Sequence, residues 1–184
     1  MGILGDKELR EKLQSMIDRD EIEQCLLRYC RGIDRRDREL MLSSYHPDAI
    51  DDHGVVVLRA DPFCTWAIEG ESAYHVVHHM ITNMSIELDG DVAHGETYWT
   101  WSAMKPDESA FLAFGRYIDR FERRNGVWKI AQRACFTEVI TEVSRAQMPE
   151  SFREALNSNL PKARDRTDPS YLRPFKVDRP ITSA

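Results

Sequence analysis

The chain has 184 residues and a net charge of −6, with 42% hydrophobic and 30% charged residues, a balance that suits one folded domain and excludes a disordered or fibrous chain. Its longest apolar runs, such as Val55 to Leu58, fall far short of the ~20 residues a membrane helix needs. A pI near 5.5, with basic residues interleaved among acids as in Asp34 to Glu39, argues against a nucleic-acid partner.

From Asp6 to about Arg31, apolar residues recur at Leu9, Leu13, Met16, Ile17, Leu26 and Leu27, an amphipathic helical pattern that Gly32 is expected to stop. A second helix is expected from Asp37, a capping residue, to Ser44, with His46-Pro47-Asp48 ending it. Ala49 to Arg59 reads as two short strands or one bent strand. A third helix is expected from about Asp61, with Pro62 in its first turn, to about Met80. Segments 81–88, 91–104, 110–124 and 127–143 are rich in β-branched and aromatic residues and read as strands. Asp89-Gly90 and Asn125-Gly126 are hairpin signals between them. Helices first and antiparallel strands afterwards give an α+β fold. Residues 1–148 form the domain. Residues 149–184 read as a short helix around Glu150–Leu160 and a Pro- and Arg-rich tail, with Pro161, Pro169, Pro174 and Pro180, which is expected to pack on a neighbouring subunit through Tyr171, Leu172, Pro174 and Phe175.

The nine glycines form neither a dinucleotide fingerprint nor a P-loop, and no GxSxG elbow exists. Cys25, Cys30, Cys64 and Cys135 include no CxxC pair and read as reduced thiols of a cytoplasmic protein. Imidazole is the side chain best suited to move protons near neutral pH, so the histidines are the richest remaining signal. His75 and His79 stand one turn apart on the expected third helix, a spacing that suits a metal. A third ligand, from Asp51, Asp52, His53 or Glu96, is not singled out, and a surface or packing role at the helix end is preferred for His75 and His78. No metal and no cofactor is assigned. Trp99 and Trp101 share one face of a strand, and Phe63 and Trp66 lie on the third helix. Together they suggest an apolar, aromatic pocket.

Four segments in order, Leu26-Leu27-Arg28-Tyr29-Cys30-Arg31-Gly32-Ile33-Asp34, Tyr45 to Gly54, His79-Met80-Ile81-Thr82-Asn83 and Arg116 to Arg133, resemble the SnoaL-like branch of the nuclear-transport-factor-2-like superfamily over roughly residues 10–145. That group includes scytalone dehydratase, bile-acid 7α-dehydratase and hexachlorocyclohexane dehydrochlorinase. The resemblance implies a cone-shaped α+β roll, a strongly bent, mostly antiparallel sheet wrapped around N-terminal helices and enclosing an apolar pocket. It implies that His79 abstracts a proton while Asp34 orients its imidazole and stabilises the imidazolium. Tyr29 matches an acid or hydrogen-bond donor. Asn83 and Arg133 match pocket positions that touch the leaving group or a developing oxyanion. His53 and Arg116, within the matched segments, are taken with Trp99 and Trp101 as substrate-binding residues.

The resulting expectation is a cofactor-independent lyase that expels water or formaldehyde from a hydrophobic, aromatic or polycyclic hydroxylated molecule in aromatic-compound catabolism. The alternatives are an isomerase of a similar substrate, a non-catalytic ligand-binding module, and a metal-dependent oxygenase built on His75, His79 and a carboxylate. A homodimer or homotrimer is expected, because relatives bury one sheet face.

Overall fold

The computed structural model describes residues 5–144, 146–158, 162–177 and 179. Helix α1 runs from Asp6 to Asp34 and α2 from Arg38 to Leu42. Strands β1 (Tyr45–Asp52) and β2 (Val57–Arg59) lead into α3 (Ala60–Gly70) and a single 3-10 turn, Glu71–Ala73. Four long strands follow: β3 (Val76–Asp89), β4 (Val92–Met104), β5 (Ala110–Arg124) and β6 (Val127–Val143). A short helix α4 (Glu150–Leu156) and a second 3-10 turn, Pro169–Tyr171, complete the described elements.

The six strands form one sheet in the order β2-β1-β6-β5-β4-β3. It curls without closing, with α1 packed against β3 and β6. This is the α+β fold the element order gives and the cone the resemblance implies. All pairings are antiparallel except β1 with β6, which is parallel. Between Tyr45 and Ile50, β1 advances five residues while β6 advances only from Ile130 to Gln132, so the strand bulges through His46-Pro47-Asp48. The expected terminator of α2 is therefore a bulge inside a strand, where proline's missing amide is tolerated.

Both hairpin signals act as such. Asn125 and Gly126 take φ of 53° and 77° between Arg124 and Val127, the left-handed pair that a two-residue turn between right-twisted strands requires. Gly90, φ 61°, opens the two-residue turn Gly90-Asp91 between β3 and β4, where it alone takes a positive φ. Gly32, in contrast, does not stop α1. A Cβ there would stand 2.4 Å from the backbone nitrogen of Met41, so the glycine lets α2 press against the last turn of α1. Asp37 caps α2 as expected, accepting from the Leu40 amide at 3.2 Å.

The largest correction concerns residues 71–80. The third helix ends at Gly70, and Val76 to Met80 already belong to β3, so His75 and His79 do not share a helical face. The β-branched pair Val76-Val77 before Ile81 and Thr82 fits an extended backbone better than a helix. The apolar pattern of α1 also divides. Ile22, Cys25, Leu26, Tyr29, Cys30 and Ile33 are buried, while Leu9, Leu13, Met16 and Ile17 are exposed on the first turns.

The core fills the inner face of the sheet, with Tyr29, Tyr117, Phe63, Phe121 and Trp128 among its largest buried side chains. Alternation along β5 places Ala113, Gly115, Tyr117, Asp119 and Phe121 inside and leaves Phe114, Arg116, Ile118 and Arg120 on the outer face. The tail folds back on its own chain. Arg164 donates to the carbonyls of Asp34, Glu71 and Tyr74, and Arg166 and Tyr171 reach Asp37. All of these contacts lie within one chain, whereas the expectation for this segment is packing on a neighbouring subunit. Leu160, Pro161 and Pro180 lie outside the described residues.

Candidate active site

Asp34 is the last residue of α1, and the close approach of α2 at Gly32 fixes the end of that helix. His79 follows Val77 on the inward-facing side of β3 and pairs with Trp101 of β4, so its ring enters from the sheet while Asp34 enters from the helix. They meet twice. The Asp34 carboxylate accepts from the His79 backbone amide at 3.0 and 3.1 Å, and its Oδ1 lies 2.7 Å from His79 Nδ1. The carboxylate holds main chain and ring together, which fixes the rotamer and leaves Nε2 turned away from Asp34.

A cavity of about 180 Å³ opens beside this pair, lined by His53, Glu71, His79, Trp99, Trp101, Ala113, Tyr117, Cys135, Thr137 and Ile140. Trp99 stacks on Tyr117 with centroids 5.7 Å apart, forming an aromatic wall. Of the residues singled out from sequence, His79, His53, Trp99 and Trp101 line this space, and Asp34 stands behind His79.

Tyr29 and Arg133 support the site without lining it. Tyr29 is fully buried, makes an edge contact with the His79 ring at 6.4 Å, and its hydroxyl meets no hydrogen-bond partner among the described residues. Burial drives its phenol well above the ordinary range, which makes it a poor proton donor. The Arg133 side chain is wholly buried, forked onto Asp119 at 2.7 and 2.8 Å, and packed over Tyr29 and Tyr117 at 4.5 and 3.9 Å from their ring centres.

Two residues are not brought here. Asn83 is exposed at the irregularity between Ile81 and Met84. Arg116 projects from the outer face of β5 and pairs with Glu96 and Glu138 at 2.6 and 2.7 Å, because strand alternation sends it opposite to Tyr117. His75 and His78 are exposed.

Glu71 was missed in the sequence. Its Oε1 accepts from Trp101 Nε1 at 3.0 Å and its Oε2 is buried without a hydrogen bond, 3.7 Å from Arg164. Burial raises its carboxyl above the usual range, against the lowering pull of His79 and Arg164. His53, expected to bind substrate and weighed as a third metal ligand, has its Nδ1 2.7 Å from Oδ1 of the wholly buried Asp51, whose Oδ2 accepts from Tyr45 at 2.6 Å. The two-residue spacing of Asp51 and His53 across the end of β1 was the available signal. The Cys135 thiol, also at the cavity, is pushed up to about 12 by burial, so it is not poised as a nucleophile. Among the described residues no group of three or more His, Cys, Asp or Glu is placed to hold a metal ion, and no helix is long and apolar enough to cross a membrane.

The fold is similar to that of a hexachlorocyclohexane dehydrochlorinase from Novosphingobium barchaimii, with a TM-score of 0.67 and 19% identity over 75% of this chain and 98% of that one. It is also similar to a protein of Novosphingobium aromaticivorans described as a putative scytalone dehydratase, with a TM-score of 0.64 and 15% identity over 72% of this chain and 91% of the other. In sequence, an uncharacterised Mycobacterium tuberculosis protein is 29% identical over 131 residues, 67% of this chain and 89% of that protein. A family model described as a SnoaL-like domain matches residues 14–134, the span that carries Asp34, His53 and His79, and the chain belongs to that family.

Proposed function

We propose that the protein is a cofactor-independent lyase in which His79 is the base and Asp34 its positioning partner. The observation that carries the reading is the 2.7 Å contact between His79 Nδ1 and Asp34 on one side of an imidazole whose other side lines an aromatic cavity. Nδ1–H donated to the carboxylate leaves the Nε2 lone pair to take a proton from carbon or from a hydroxyl, and the carboxylate stabilises the cation so formed. The double hold on Asp34 keeps this geometry before substrate arrives.

The cavity sets a size. About 180 Å³ is little more than the ~150 Å³ in which a benzene ring lodges, so a single aryl ring fits inside and a polycyclic substrate extends through the mouth near Thr137 and Ile140. The substrate class is a hydroxylated molecule whose aryl end stacks on Trp99 and Trp101, losing water or formaldehyde. An isomerase that returns the proton to another carbon uses the same base and is separated by its product.

Exposed apolar side chains on the outer face of the sheet, Tyr98, Phe114, Ile118, Phe136 and Val139, favour association of copies through that face. Solution mass measurement across concentration checks this, with a dimer or trimer expected.

The function is tested by incubating chelator-treated wild type, His79→Ala and Asp34→Asn with aryl diols and hydroxy-carbonyl compounds and reading products by mass spectrometry. Loss of water or formaldehyde by wild type, with a drop on the order of 10²–10⁴-fold in both folded variants, is the expected result. Equal behaviour of all three rejects the lyase reading and leaves a hydrophobic-ligand carrier.

A further inference from the structure

The cavity holds two imidazoles built on one plan. His79 has Nδ1 against Asp34, and His53 has Nδ1 against Asp51, each at 2.7 Å. Both rings line the same space, and neither Nε2 has a hydrogen-bond partner among the described residues. Asp51 is the more deeply set carboxylate: its side chain is wholly buried, and Tyr45 and His53 occupy one oxygen each. Phe63 lies 4.8 Å from the His53 ring and Trp66 6.3 Å, so the imidazole is wedged as well as hydrogen-bonded.

Elimination from an alcohol needs two proton transfers, one from the substrate and one to the departing hydroxide, which is a poor leaving group unless protonated. The residues matched from sequence to the second task do not line the cavity. Tyr29 is fully buried in edge contact with His79, and Arg133 forks onto Asp119 through Nε and Nη2, with its Nη1 buried and unpaired among the described residues. We propose that His53, positioned by Asp51 and Tyr45, is the acid that protonates the leaving hydroxyl while His79 removes the substrate proton. The inference rests on the lyase reading of His79.

The step balances. His79 Nε2 takes a proton as the carbon–hydrogen bond breaks, and that electron pair forms the new double bond. The carbon–oxygen bond breaks, and its oxygen takes the Nε2 proton of the His53 imidazolium and leaves as water. The formaldehyde route needs the same acid whenever the pair freed by carbon–carbon cleavage expels hydroxide from the neighbouring carbon. One imidazolium is created and one consumed, so proton exchange with solvent resets the pair. Glu71 is the rival donor in the cavity. Its Oε1 already accepts from Trp101 and Arg164 lies 3.7 Å from its Oε2, and the Glu71→Gln comparison separates it from His53.

The test compares leaving groups on one skeleton, 4-hydroxy-4-phenylbutan-2-one and its 4-chloro analogue, because chloride departs without a proton. His53→Gln is expected to lower turnover of the alcohol on the order of 10²–10⁴-fold and of the chloride less than about tenfold. Asp51→Asn should show the same split, more weakly, and His79→Gln should lose both substrates. Equal losses on both substrates in His53→Gln, or no loss on either, overturn the proposal, as does the split appearing in Glu71→Gln instead. Full activity in His79→Gln overturns the lyase reading itself and is thereby distinguished. If wild type converts neither compound, ring-nitrogen NMR of the histidines decides. Protons on both ring nitrogens of His53, with the Nδ1 proton displaced in Asp51→Asn, support the assignment, and a neutral His53 ring without an Nε2 proton overturns it.

Discussion

Arg164 donates from Nε to the carbonyl oxygen of Asp34 at 3.0 Å, so the residue whose carboxylate holds His79 is itself held through its main chain by the C-terminal segment. The same guanidinium spans to the Glu71 and Tyr74 carbonyls at 2.8 Å each, stapling the end of α1 to the turn before β3. Arg164→Ala leaves those carbonyls without this donor. Stability is expected to fall by about 1.5–3 kcal/mol, the range for hydrogen bonds to a charged group, as checked by chemical denaturation. Amide exchange should rise in residues 162–174 and at His79.

The buried pair Asp119–Arg133 lies under Tyr29 and Tyr117 and makes a second prediction. Removing one partner strands the other charge in the core, so Asp119→Leu alone should cost about 3–5 kcal/mol. The double variant Asp119→Leu with Arg133→Met removes both charges at similar volume and should recover most of that loss. A denaturation cycle on the four proteins measures the difference.

Glu71 supplies a pH dependence. Its folded carboxyl lies above the ordinary value, chiefly through burial, so the folded state binds the proton more tightly than the unfolded chain does. Stability from this residue is therefore greatest in acid. It declines as pH rises from the ordinary carboxylate range to the raised folded value, and is constant above it. Glu71→Gln abolishes the decline and keeps an oxygen for Trp101 Nε1. The variant should match wild type near pH 4 and exceed it at pH 8 in parallel denaturation curves.

Gly115 is the most closely enclosed of the described glycines. A Cβ there would stand 1.9 Å from the Phe136 carbonyl oxygen and 2.5 Å from Trp99, the aromatic wall of the cavity. Gly115→Ala must shift backbone or indole, at a cost of about 1–3 kcal/mol or more. Trp fluorescence and melting temperature should both move, whereas Gly70→Ala, which meets nothing within 4 Å, should be nearly silent.

What was legible in the sequence is what local chemistry decides. Asn125-Gly126 dictates its own turn, Asp37 its own cap, and the alternation of β4 and β5 its own faces. The boundary at Gly70 is not legible because a helix carried past a glycine still satisfies the count of apolar residues, and only the β-branched pair Val76-Val77 marks the strand. Arg116 and Asn83 were carried over by resemblance, while their exposure follows from strand parity and one irregularity that the sequence does not display. Glu71 enters the site only because Trp101, thirty residues on, reaches back to it. Gly32 looked like punctuation because a close contact with Met41 leaves no mark on the chain's own pattern.

The parallel pairing of β1 with β6 carries a consequence for synthesis. Asp34, His53 and His79 all emerge from the ribosome before β4 begins, yet the corner that holds Tyr45, Asp51 and His53 is zipped onto residues 130–134. Hairpins β3–β4, β4–β5 and β5–β6 form between neighbours in sequence, whereas β1 must wait for the last long strand and then close the longest loop in the sheet. The proton-handling residues are translated first and become a site last. A nascent chain paused before Val127 carries every acid and base of the proposed reaction but lacks the strand onto which the corner holding Tyr45, Asp51 and His53 docks.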